Sequence, residues 1–203
     1  MKSDYRVRAR HFLETIYPLL DGYWHSPNMC RHILNAYNIR HSRNILVGAG
    51  VARIAIVTSD YVIKFDYDKS EVERVGGCES EVKFYQFAKQ EGFEYMFAEI
   101  TPFEYMGRTF YIMPRINGIM RKEYCYAEEF FDGVERDFLD YYLNDLHDEN
   151  YGWFNGSPVI FDYACNRLWI ENHNYRSDFY TTTETFSESR LSHCSALHSW
   201  GSE

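Results

Sequence analysis

At Asn44 the hydrophobic period of the chain switches from helical to strand-like, and that switch constrains the fold more than any other feature. Ile45-Leu46-Val47 leads into Gly48-Ala49-Gly50, then Ala52-Arg53-Ile54-Ala55-Ile56-Val57, the polar turn Thr58-Ser59-Asp60, and Tyr61-Val62-Ile63-Lys64-Phe65. Three short β-rich runs punctuated by glycine and a polar turn predict an antiparallel meander. Ahead of it, Phe12, Leu13, Ile16, Leu19 and Leu20 recur at helical spacing, followed by a turn around Gly22 to Pro27 and then Cys30, Ile33, Leu34 and Tyr37. Residues 4–40 therefore predict two helices, and residues 1–43 read as a packed helical extension rather than a separate docking module.

Beyond the meander, residues 78–91 return to helical spacing, with Val82, Tyr85 and Ala88 on one face and Glu81 beside them. Phe97–Tyr105 and Arg108–Met113 read as strands joined at Met106-Gly107, and Pro114 ends the second. Residues 128–143 predict a helix on the spacing of Phe131, Val134, Phe138 and Tyr141. A polar loop from Asn144 to Gly152 precedes Trp153-Phe154, the turn Asn155-Gly156 and Pro158-Val159-Ile160-Phe161. Asn-Gly between two apolar runs is a strong hairpin signal. From about Asp178 the chain is rich in Thr, Ser and His, and a loosely structured tail is expected. The sum is an α+β chain.

Composition narrows the function classes. Apolar residues make up 45% of the chain and charged residues 25%, the balance of a folded soluble protein with a sizeable core. The net charge of −9 is unevenly placed: residues 1–101 carry 13 Lys+Arg against 13 Asp+Glu, and residues 102–203 carry 8 against 17. An acidic second half disfavours non-specific nucleic-acid binding there, and no direct nucleic-acid partner is expected. No apolar run approaches the roughly 20 residues of a membrane helix, so no membrane partner is expected either. The N-terminus lacks the apolar segment of a secretory signal. Cys30, Cys78, Cys125, Cys165 and Cys194 are odd in number and contain no C-x-x-C, which argues against a disulfide framework. A reducing cytoplasm is the expected compartment, and an injected effector in a host cytoplasm would look the same.

The chemistry concentrates in Asn144-Asp145-Leu146-His147-Asp148-Glu149-Asn150 and the strand Val159-Ile160-Phe161 that ends at Asp162. D-x-x-x-x-N on a loop, a hairpin, and a strand-terminal Asp supply what phosphoryl transfer needs: one carboxylate for the attacking hydroxyl, and a carboxamide and a second carboxylate for Mg²⁺. Mg²⁺ takes hard oxygen ligands and keeps several waters, so one Asn and one Asp suffice.

At this point the chain resembles the protein-kinase superfamily, and other segments match in order. Gly48-x-Gly50 sits where the phosphate-covering glycine loop belongs, with Arg53 in place of the third glycine. Val62-Ile63-Lys64 is similar to the family's V-A-I-K, which makes Lys64 the phosphate-contacting cation. Glu81 is the implied ion-pair partner, with Glu79 as its rival. Tyr111-Ile112-Met113-Pro114-Arg115-Ile116 is similar to the hinge, where Pro114 would offer adenine its C=O and Ile116 its N–H. The resemblance, over roughly residues 44–165, implies a bilobal fold with an N-lobe 44–113 and a reduced C-lobe 114–177 carrying the catalytic loop, and composition adds a Ser/Thr-rich tail 178–203. The resemblance further implies ATP and Mg²⁺ as cofactors, Asp145 as the hydroxyl-orienting carboxylate, and Asn150 and Asp162 as metal ligands.

The departures carry information too. Leu143-Asn144 replaces His-Arg, removing the cation that would read a phosphorylated activation loop. Asp162-Tyr163-Ala164 replaces Asp-Phe-Gly, so flipping of Asp162 should be restricted. His147 stands where small-molecule phosphotransferases of the superfamily often have His; it either touches the γ-phosphate or caps the loop. Only 41 residues follow Asp162, which resembles the miniature kinases of phages and bacterial effectors. The implied activity is a minimal Ser/Thr protein kinase acting on proteins, host proteins and its own Thr181-Thr182-Thr183 tail among them. The alternatives are a kinase-shaped protein-binding module and a small-molecule phosphotransferase. A zinc site at His25, Cys30 and His32, or at His193, Cys194 and His198, lacks a four-ligand set.

Overall fold

The computed structural model describes residues 5–41, 44–118, 131–143, 146 and 148–172. The α+β architecture has a five-stranded antiparallel sheet at its centre. Helices α1 (Tyr5–Leu20) and α2 (Pro27–His41) lead into β1 (Leu46–Ala49), β2 (Arg53–Val57) and β3 (Tyr61–Asp66). A short α3 (Lys69–Val75) and the longer α4 (Cys78–Gln90) then precede β4 (Thr101–Tyr105) and β5 (Arg108–Pro114). The strand order is β1-β2-β3-β5-β4, every neighbour antiparallel.

The second part holds β6 (Asn117–Gly118), α5 (Gly133–Tyr142), β7 (Tyr151–Phe154), β8 (Ser157–Ile160) and α6 (Arg167–Asn172), with a three-stranded sheet β6-β7-β8. The β4–β5 and β7–β8 hairpins turn on two residues with positive φ, Met106 and Gly107 at 51° and 75° and Asn155 and Gly156 at 53° and 85°. That backbone matches the twist of the strands it joins.

The two-residue period of the sheet decides what reaches which side. Ile54, Ile56, Ile63, Phe65, Phe110 and Ile112 point to one face and share a core with Leu13, Ile16, Leu20, Trp24, Cys30 and Leu34 of the two N-terminal helices. Those helices are thus a layer of the fold, closing one face of the sheet. Ala55, Val57, Val62 and Met113 alternate to the other face and meet Phe154 and Val159 of the second sheet and Phe161 just beyond it.

A third core joins the two parts. Phe84 and Ala88 of α4, Phe93, Phe97, Phe138 and Leu139 of α5, Tyr151, Ile160 and Tyr163 pack together. Behind it, the Ala98 N–H donates to the Ile160 C=O at 2.8 Å, and Phe97 forms a parallel bridge with Ile160. This draws Phe97 and Ala98 out of the expected Phe97–Tyr105 strand, which begins only at Thr101.

Two other expectations are corrected. The buried face of α4 is Glu81, Phe84 and Ala88, with Val82 and Tyr85 only half-buried. The helix expected over 128–143 runs from Gly133, with Phe131 buried ahead of it and Val134 exposed; residues 128–130 lie outside the described residues. Among the described residues no helix is long and apolar enough to cross a membrane.

Candidate functional site

Lys64 lies on the cleft side of β3, one residue either way from Ile63 and Phe65, which face the helices. Its ammonium donates to both oxygens of Glu81, at 2.9 and 3.1 Å, and to the Phe161 C=O at 2.9 Å. Glu81 has no solvent exposure, and charge-assisted bonds in such a place are short and strong. Of the two glutamates weighed in the sequence, Glu81 is the one that meets Lys64. Glu79 turns outward to Lys83 at 2.8 Å.

The strand that carries Lys64 also anchors the helix that carries Glu81. Asp66, two residues on and so on the same face, accepts the Cys78 N–H at 3.0 Å at the start of α4. A carboxylate at a helix N-terminus satisfies an orphan donor and complements the helix dipole. Gly77 makes the contact fit, since a Cβ there would lie 2.7 Å from Asp66 Oδ2. The Cys78 thiol is consequently pushed well above its ordinary value, first by burial and then by the charges of Asp66 and Glu81.

Arg53 completes the cluster. From the first position of β2 its Nη2 donates to Asp162 Oδ1 at 2.7 Å, and its Nη1 lies 3.0 Å from Glu81 Oε1. Burial alone would lower the Arg53 pKa, but Glu81 and Asp162 overcome it and hold the guanidinium above its ordinary value. Arg53, Lys64, Glu81 and Asp162 are therefore two cations and two anions linked in a chain, Lys64 to Glu81, Glu81 to Arg53 and Arg53 to Asp162.

The segment behind Asp162 is strapped to α4. The Tyr163 N–H reaches Glu81 Oε1 at 3.4 Å, and its buried hydroxyl donates to the Ala98 C=O at 2.7 Å. Ser80 donates its hydroxyl to the Ala164 C=O at 2.8 Å, and Asn166 Nδ2 donates to Ser80 Oγ at 2.8 Å. Gly76, at φ 82°, lets that carbonyl pass, because a Cβ would stand 2.3 Å from the Ala164 oxygen. These contacts hold the backbone on both sides of Asp162.

Gly48 lies in β1 opposite Ala55, and the Gly50 N–H donates to the Arg53 C=O at 2.9 Å to close the turn. A Cβ on either glycine would meet nothing closer than 3.9 Å, so neither glycine is demanded by packing. They leave the turn bare. Pro114 is buried opposite Tyr61, and Ile116 packs half-buried beside Val62, Met113 and Val159. Ala55, Val57, Phe154 and Phe161 add half-buried apolar surface of the kind the face of a purine covers.

Asn150 is 5% exposed, and its C=O accepts the Phe161 N–H at 3.0 Å, which sets it one hydrogen bond from the residue preceding Asp162. Asp162 is 40% exposed. The carboxylate of Asp162 and the carboxamide of Asn150 offer hard oxygen donors, the kind Mg²⁺ takes. Lys64, the bare glycine turn and the apolar cluster fit a nucleotide. Asp145, Asn144 and His147, and the Thr181-Thr182-Thr183 tail, lie outside the described residues. Two grooves of about 710 and 640 Å³ lie elsewhere, and Lys64, Glu81 and Asp162 line neither.

Asp66 and Ser80 are not among the residues the sequence singles out, whereas Arg53 stands there only as a missing glycine and Tyr163 only as a replaced Phe. The signal for two of them was present: Arg53 alternates with Ala55 and Val57, and Asp66 with Lys64.

No family model matches the chain, and no curated protein matches it. Among solved structures it is similar to the Legionella pneumophila Lpg2603 kinase bound to IP6, at 13% identity and a TM-score of 0.37. The likeness covers 73% of this chain and 64% of that one, so the chain spans under two thirds of that kinase's length.

Proposed function

We propose that this chain is a Mg·ATP-dependent phosphotransferase whose acceptors are Ser and Thr hydroxyls of proteins, its own tail included, without activation-loop control. The observation that carries the reading is the Lys64–Glu81 pair: a strand lysine held at 2.9 Å by a fully buried helix glutamate, with Asp162 joined to the same carboxylate through Arg53. A lysine so held keeps its charge aimed into the cleft where phosphates would lie.

In this reading Lys64 positions the phosphates and Asp145 orients the acceptor hydroxyl. Asp145 takes the hydroxyl proton as the new O–P bond forms and the bond to the departing ADP oxygen breaks. Asn150 and Asp162 would hold Mg²⁺, whose charge offsets that of the phosphate oxygens. Leu143, in the place of the family's His, is buried in the apolar core, and its backbone bridges Asn166. Leu143 is thereby tethered, and Asn144 follows it in place of the arginine that a phosphorylated activation segment would contact.

Incorporation of label from γ-labelled ATP, read by mass spectrometry on wild type and Asp145→Asn, tests the assignment. Incorporation should be abolished in the variant while nucleotide binding persists; equal incorporation by both overturns it.

One observation favours a second reading, a protein-binding module without turnover: Arg53 already donates to Asp162 Oδ1. That reading requires no thermal shift with Mg·ATP and no self-phosphorylation.

A further inference from the structure

Arg53 stands at the hinge point of the glycine turn, yet its side chain is directed inward. Its own C=O accepts the Gly50 N–H at 2.9 Å, and the neighbouring Ala52 C=O accepts the Tyr67 N–H at 3.0 Å, so its backbone is fixed on both sides. The side chain is only 20% exposed and spans Asp162 Oδ1 and Glu81 Oε1, at 2.7 and 3.0 Å. The two contacts differ in kind. Nη2 donates a well-aligned bond, whereas Nη1 is buried and close enough to Glu81 for a charge contact but has no hydrogen-bond partner among the described residues. Arg53 thus has donor capacity unspent on its present partners.

The charges of this cluster make the arrangement selective. Arg53 and Lys64 balance Glu81 and Asp162, and an arginine cannot discharge itself by losing a proton. A bare divalent cation arriving at Asp162 must either displace Nη2 from Oδ1 or take the other carboxylate oxygen alongside it, and in both cases it lies beside two fixed positive charges. At separations of a few ångströms and reduced dielectric this repulsion is large. A metal arriving on a polyphosphate brings anionic oxygens that can accept the guanidinium released from Asp162.

We infer that Arg53 is a positioning residue that closes Asp162 to a free divalent cation and yields it only to a metal–phosphate complex, toward whose phosphates its guanidinium then turns. The inference rests on the phosphotransferase reading and adds an order to it: metal and nucleotide enter together.

The test is Mn²⁺ binding to the full chain, read by electron paramagnetic resonance of free Mn²⁺, with and without the non-hydrolysable nucleotide AMP-PNP. Circular dichroism and thermal melting verify that each variant is folded. Without nucleotide, Arg53→Gln should bind Mn²⁺ at least tenfold more tightly than wild type, and Arg53→Gln/Asp162→Asn should lose that gain. Arg53→Lys keeps the positive charge and should stay within threefold of wild type, which keeps the test decisive if Arg53→Gln is unstable. With AMP-PNP, wild type should take up Mn²⁺ at the same concentrations at which it excludes the metal alone.

Equal Mn²⁺ affinity in wild type and Arg53→Gln overturns the inference. So does a gain that survives Asp162→Asn, or an Arg53→Lys variant that binds like Arg53→Gln. If wild type takes up Mn·AMP-PNP in any of these cases, the phosphotransferase reading stands while the gate falls. If no protein binds Mn·AMP-PNP, the phosphotransferase reading itself fails and takes the gate with it.

Discussion

The Lys64 ammonium meets both oxygens of the Glu81 carboxylate, at 2.9 and 3.1 Å, where that carboxylate has no contact with solvent. Removing one member of a buried ion pair strands the other, at about 3–5 kcal/mol. Glu81→Gln keeps the shape but leaves Lys64 and Arg53 facing a neutral amide, and should cost about that much in urea unfolding. Glu79→Gln breaks only the Lys83 pair, whose side chains are 57% and 63% exposed, and should cost less than about 1 kcal/mol. Similar losses for the two variants would show that the buried cluster has no special weight.

Gly76 and Gly107 both have positive φ, 82° and 75°, but differ in surroundings. Alanine at Gly107 meets nothing within 4 Å, so Gly107→Ala should cost about 1–2 kcal/mol, the backbone strain alone. Alanine at Gly76 adds a collision with the Ala164 oxygen, and Gly76→Ala should cost about 1–3 kcal/mol more. Because that carbonyl lies two residues from Asp162, Gly76→Ala should also weaken Mn·AMP-PNP binding, and Gly107→Ala should not. Thermal melts and nucleotide titrations of the pair decide.

Leu13 has no exposure and sits in the core shared by α1 and the sheet. Leu13→Ala should destabilise the whole protein by about 2–5 kcal/mol in a single cooperative transition. Val7 on the same helix is 62% exposed, and Val7→Ala should shift stability by less than about 0.5 kcal/mol. An independent low-temperature transition in Leu13→Ala would instead mark α1 and α2 as a separately folding extension.

Alkaline pH should weaken the fold through two buried acids. Burial raises the Tyr163 hydroxyl well above its ordinary 10.0 and the Cys78 thiol well above 9.0. The unfolded chain therefore gives up these protons first, and stability falls as pH rises past about 9 toward the folded-state values. Tyr163→Phe loses the bond to the Ala98 C=O, about 1 kcal/mol at pH 7, but also one of the two titrations. Its urea midpoint should decline less steeply than that of wild type between pH 10 and 11. Parallel curves would count against a buried, protonated Tyr163.

Much of this structure was readable from the chain. The meander announced itself because Ile54, Ile56, Ile63 and Phe65 alternate with cleft-facing residues, and Met106-Gly107 and Asn155-Gly156 carry their turn conformation locally. Lys64 and Glu81 could be paired because each sits on an element of clear period. The buried face of α4 is centred on Glu81 and not beside it for a physical reason: Arg53 and Lys64 neutralise its carboxylate, which lets that side of the helix be interior. Elements made by tertiary contact left no local trace. The two-residue β6 exists because Gly152 lets Ile116 and Asn117 approach, where a Cβ would lie 2.2 Å from Ile116 Cγ2. The six-residue α6 is too short to show a period, and its start is held by Asn166 Oδ1 accepting the Trp169 N–H at 3.0 Å.

The backbone link from Ala98 to Ile160 has a mechanical consequence. It fastens the rear of the cleft with main-chain bonds, in addition to the connection through Pro114 and Ile116. Two slabs riveted at the back and joined at the side have little freedom to yawn apart. The front edge is the short Gly48–Ala52 turn, exposed until Ala52 and held by the Gly50 N–H on the Arg53 C=O and the Tyr67 hydroxyl on the Gly50 C=O. For the proposed nucleotide, the way in then runs beneath that exposed edge, not between parting jaws.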